Sequence, residues 1–105
     1  MGKEEVVYLE IGRSIPGAEE SQMFGKPCFK TGGKAFISLF NDSMVFKLFG
    51  EVHISALALD GSRLFDPSGR NRPMKEWVQV SFIHREKWPE FASAANEYVR
   101  KVNQK

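Results

Sequence analysis

A chain of 105 residues, 42% apolar and carrying nine Phe, has the size and composition of one domain, residues 1–105, that fills its core without metals or disulfides. Its 27% of charged residues exclude the charge-rich, aromatic-poor make-up of disordered chains, and no apolar run approaches the roughly 18 residues of a membrane-spanning helix. Fifteen basic against 13 acidic side chains leave a net charge of +2, an excess too small to mark a polyanion partner by itself.

The start of the chain, Met1-Gly2-Lys3-Glu4-Glu5, lacks the apolar stretch of a secretory signal. A single cysteine, Cys28, cannot close an internal disulfide, and together these features predict a cytoplasmic protein. Over residues 3–15 the apolar side chains Val7, Tyr8, Ile11 and Ile15 fall on one helical stripe that Pro16-Gly17 terminates. Gly12 inside that helix costs about 1 kcal/mol relative to Ala.

Residues 18–49 are rich in Phe, Val and Ile and are broken at Gly25-Lys26-Pro27, Thr31-Gly32-Gly33 and Asn41-Asp42, the pattern of a β-meander. Phe36, Ser38 and Phe40 alternate with Ala35, Ile37 and Leu39, so residues 34–40 are apolar on nearly both sides and are predicted to be central in the sheet. In the next strand Met44, Phe46 and Leu48 alternate with Ser43, Val45 and Lys47, which predicts one polar side. A short helix is predicted over 50–59 from Val52, Ala56 and Leu59, opened by Glu51 and closed near Gly61. Residues 60–76 read mostly as loop, with Arg63-Leu64-Phe65 as a strand at the sheet edge, and Val78, Val80 and Phe82 alternate with Gln79 and Ser81 as a half-buried strand. The last element runs from Pro89 to Val102, with Phe91, Ala95, Tyr98, Val99 and Val102 on one helical face, Glu90 near its start and Arg100, Lys101 and Lys105 near its end.

These elements predict an α+β, two-layer domain: an antiparallel β-sheet, a meander plus a C-terminal strand, packed against N-terminal, middle and C-terminal helices. Met23-Phe24-Gly25-Lys26-Pro27-Cys28-Phe29, Gly33-Lys34-Ala35-Phe36, Lys47-Leu48 and Met74-Lys75-Glu76-Trp77-Val78 resemble the TfoX N-terminal domain and the YjbR-like (MmcQ/YjbR) families over most of the chain. The resemblance implies the same two-layer domain, without catalytic activity, and in some members a DNA-binding or regulatory role. The C-terminal helical domain of the longer competence-regulator relatives has no counterpart in these residues. Met23, Phe24 and Trp77 are read as core residues that lock the sheet to its helices, and Gly25 as a bend that Pro27 fixes.

The chemistry-bearing residues nominate no catalyst. Cys28 has neither His53 nor His84 near it in sequence, Asp60, Asp66 and Glu76 stand in no acid–base pattern, and Thr31-Gly32-Gly33-Lys34 reads as a hairpin turn, not a phosphate loop. The scarcity of Cys and His predicts no metal site, and no cofactor motif appears. What remains is positive charge: residues 61–105 hold nine basic against five acidic side chains. The candidate nucleic-acid-binding residues are Arg63, Arg70, Arg72 and Lys75 on the loop, with Lys26, Lys30 and Lys34 along the hairpin, where they would follow phosphate oxygens without reading bases. The alternative is a protein-interaction module, a homodimer or partner-binding domain, using a sheet edge or an apolar surface around Phe40 and Phe49.

Overall fold

The computed structural model describes residues 2–23, 25–66, 70 and 73–103. Helix α1 spans Lys3–Ser14, and strands β1 (Glu19–Met23), β2 (Lys26–Thr31), β3 (Lys34–Phe40) and β4 (Ser43–Lys47) follow it as the meander. Helix α2 covers Gly50–Leu57, β5 is the short Arg63–Phe65, β6 is Met74–Ser81, a 3-10 segment takes Phe82–Lys87, and α3 is Trp88–Asn103. Among the described residues the six strands form one antiparallel sheet in the order β1-β2-β3-β4-β6-β5. With its helices this makes an α+β fold.

The principal core lies between one face of the sheet and the helices. Tyr8 and Ile11 of α1, Ala56 of α2, and Trp88, Phe91, Ala92, Ala95 and Val99 of α3 pack there on Phe29, Phe36, Ile37, Met44, Phe46, Val78 and Val80. Gly12 has its reason here. A Cβ at that position would stand 2.1 Å from Phe29 Cε1, so the helix residue that propensity disfavours is the one that admits the Phe29 ring. Both histidines tie elements together through Nε2–H: His53 donates to the Lys75 carbonyl and His84 to the Asp60 carbonyl, each at 2.8 Å.

Among the described residues the opposite face of the sheet carries no helix but has its own apolar cluster of Val45, Phe65 and Trp77, with Met23, Ala35, Phe40 and Met74 against it. Four expectations change accordingly. Met23 and Trp77 do not lock the sheet to its helices; they pack on the helix-free side, and Phe24 lies outside the described residues. The predicted polar side of β4 is buried, with Ser43 and Val45 at 5% and 0% exposure, because Phe65 and Trp77 cover it. Phe36 does not share a face with Ser38 and Phe40. Phe29 pairs with Ile37 while Lys30 pairs with Ala35, so Phe36 is the extra residue of a β-bulge, and consecutive Phe36 and Ile37 both enter the principal core. Finally, residues 74–76 belong to β6, while Phe82 leaves the strand for the 3-10 segment.

Pro27 sits one residue before the pairing of β2 with β3 begins at Cys28, where its missing N–H removes no ladder bond on that side. Its carbonyl accepts from Ser38 Oγ at 2.7 Å, which satisfies a hydroxyl that is fully buried in the middle of the sheet. The turn before it holds Gly25 at φ 73°, a conformation that glycine adopts without strain.

Candidate functional site

Cross-strand pairing decides which cations share a surface, because directly paired residues project to the same side of a sheet. Lys30 pairs with Ala35, which packs in the helix-free cluster. Lys26 lies 4.6 Å from the Phe40 ring centroid, a cation–π contact on that same side. Arg63 pairs with Gln79, and Gln79 with Val45. Lys26, Lys30 and Arg63 therefore all belong to the helix-free face, the lysines on β2 and the arginine on β5.

Their spacing follows from the lattice of the sheet. Four inter-strand steps separate β2 from β5, about 19 Å at roughly 4.8 Å per step. Pairing runs in a row from Cys28 through Ser38, Val45 and Gln79 to Arg63, so Arg63 is level with the midpoint between Lys26 and Lys30. The floor between them is closed, with Cys28, Ser38, Val45, Phe65 and Trp77 buried. Glu19 pairs with Lys30 on the same side and reduces the positive field at that corner.

Of the remaining candidates, Lys34 separates from this group. Lys75 is exposed near the start of β6, with its carbonyl held by His53, and Arg70 is exposed at a bend between β5 and β6. Arg72 lies outside the described residues. Lys34 lines a small hollow with Lys47, Tyr98, Val99 and Val102, and so faces the α3 side. The basic hairpin predicted from Lys26, Lys30 and Lys34 is thus split between the two faces. The apolar surface predicted around Phe40 and Phe49 is also split. Phe40 packs in the helix-free cluster beneath Lys26, whereas Phe49 is 69% exposed and stacks on Tyr98 of α3, with centroids 5.3 Å apart and planes 10° apart.

A polar group absent from the sequence reading gathers beside Phe49. Tyr98 donates its hydroxyl to Glu76 Oε2, and although the Lys47 backbone pairs with Trp77 at the end of β4, its Nζ lies 3.9 Å from Glu76 Oε1. The Glu76 hydrogen bond, and burial after it, raise the Tyr98 pKa to about 12. No sequence spacing links residues 47, 76 and 98; the pairing of β4 with β6 and the crossing of α3 bring them together. Burial raises the Cys28 thiol, with Lys30 pulling it back, which keeps it in the protonated, poorly nucleophilic form at neutral pH. Among the described residues no three His, Cys, Asp or Glu side chains gather as metal ligands, and no helix is long and apolar enough to cross a membrane.

Compared with known proteins, the chain matches no family model, no curated protein and no solved structure.

Proposed function

We propose that this protein is a non-catalytic binding domain of the TfoX N-terminal and YjbR-like type, acting in the cytoplasm, whose partner is DNA held by its phosphates. The observation that carries this reading is the joint presence of Lys26, Lys30 and Arg63 on the helix-free face, about 19 Å apart across the sheet at ~4.8 Å per strand. That separation is comparable with the width of a duplex, so the two flanks reach phosphates on either side while the closed floor between them offers, among the described residues, no groove-reading element. Recognition of this kind is electrostatic and independent of sequence.

Duplex binding measured across salt tests the reading. With three phosphate contacts the plot of log Kobs against log salt has a slope of about −2.7, and Arg63→Ala makes it shallower by about 1. No binding by micromolar protein in low salt overturns it.

The exposed aromatic Phe49 supports a second reading, a protein-interaction module, because Ile54 and Val102 are also exposed, at 68% and 47%. Light scattering addresses its homodimer version: a strictly monomeric mass at high protein concentration removes it.

A further inference from the structure

The chain enters helix α2 through Phe49, with extended backbone and no side-chain hydrogen bond to the helix, and Gly50 at φ 70°, a conformation that glycine adopts without strain. The Phe49 ring is mostly in solvent and lies parallel to Tyr98.

Beside Phe49, a cleft of about 440 Å³ opens between α2 and α3, walled by Val52, Ala94, Tyr98 and Val102, with Glu97 and Lys101 also lining it. This volume falls within the range of small-molecule sites, as does the mainly apolar lining with a few charges. A second hollow of about 130 Å³ shares Tyr98 and Val102 with it and is lined by Lys34 and Lys47. The two hollows adjoin along α3, one apolar and one cationic.

Charge fixes what suits them. Lys34 and Lys47 contribute two positive charges, and Glu76, held by Tyr98 and 3.9 Å from Lys47, removes one. Among the described residues no carboxylate pairs with Lys34. The balance is one positive charge, which matches a monoanion better than a dianionic phosphate. Glu97 and Lys101 both line the cleft and offset each other, whereas Lys34 and Lys47 line the smaller hollow, so an anionic group is drawn to the lysine end. We propose that these joined hollows bind a small aromatic monocarboxylate, its ring over Phe49 and Val52 and its carboxylate between Lys34 and Lys47.

The site lies on the α3 side of the sheet, away from Lys26, Lys30 and Arg63, so its success or failure is independent of duplex binding. The test titrates 1-naphthoate and its neutral counterpart 1-naphthamide into the isotope-labelled full chain at pH 7, followed by amide NMR. Saturable shifts at Lys34, Phe49, Tyr98 and Val102 are expected, with the amide binding about tenfold more weakly because it forms no charge-assisted bond. Lys34→Gln weakens 1-naphthoate several-fold and leaves 1-naphthamide unchanged, whereas Phe49→Ala weakens both. Lys34 and Phe49 are exposed, and an otherwise unchanged spectrum verifies that each variant is folded. Equal affinity for the two probes, shifts confined to other regions, or no saturation by roughly 10 mM, a free energy near −3 kcal/mol, overturns the proposal.

Discussion

Single residues in this protein are explained less by their own preferences than by what crosses them. Gly12 is a poor helix former, and its sequence context gives no hint of why it is there; the answer is the Phe29 ring, which arrives from β2. Gly12→Ala gains helix propensity but drives a methyl group into that ring. The variant is expected to lose about 1–3 kcal/mol, read from the urea midpoint at unchanged m-value. Tyr98 offers a second case. Its pKa, raised to about 12 by the Glu76 hydrogen bond, exceeds that of the unfolded chain, near 10. The native state therefore keeps a proton that the unfolded chain releases above pH 10. This contribution to stability is complete below pH 10 and disappears as pH rises towards 12. Of the two tyrosines, Tyr8 is raised further, by burial first and then by Cys28, Glu20 and Glu5, so ultraviolet titration of the folded protein should show little tyrosinate at pH 10. In Glu76→Gln the Tyr98 midpoint is expected to move down towards 10; an unmoved midpoint would show that Glu76 does not set it.

At the level of elements, the strands and helices were largely legible because their periods are strong. The α3 stripe, the meander breaks at glycine and Asn41-Asp42, and the edge strand at Arg63–Phe65 all appear where alternation and turn chemistry place them. What alternation could not reveal is the bulge at Phe36, since one extra residue shifts every side chain before it to the other face without altering the local pattern. Nor could it show that β4 is covered twice. Ser43 and Val45 look like the wet side of a strand, but residues from distant β5 and β6 close over them. Val45→Lys tests this directly. A solvent-facing site would absorb the lysine within about 0.5 kcal/mol, whereas the buried one should lose several kcal/mol or fail to fold, as circular dichroism melting would show. The 3-10 segment before α3 was also missed, because a turn capped by Ser81 Oγ on the Ile83 N–H carries no long-range periodicity.

For the molecule as a whole, the sheet with helices on one side was readable from the order of elements, but the distribution of charge over its two faces was not. Lys26, Lys30 and Lys34 are close in sequence, yet Lys34 faces α3 while the other two face away. Arg63, far away in the chain, joins Lys26 and Lys30 through four strand pairings. Charge counts along a sequence carry no information about such partition; only strand order and register do. The same is true of the hollow beside Phe49, whose walls come from residues 34, 47, 49, 52 and the last turns of α3.

Strand β6 enters the sheet between β4 and β5, and this sets an order of events for a chain emerging from the ribosome. The first four strands can zip up as hairpins between neighbours, since their contacts are local. Yet β4 would then present a bare edge, its backbone N–H and C=O groups unpaired until β6 arrives roughly thirty residues later. During that interval the nascent polypeptide is prone to capture another open ladder, so translation pauses between positions 48 and 80 would favour aggregation far more than pauses after residue 103.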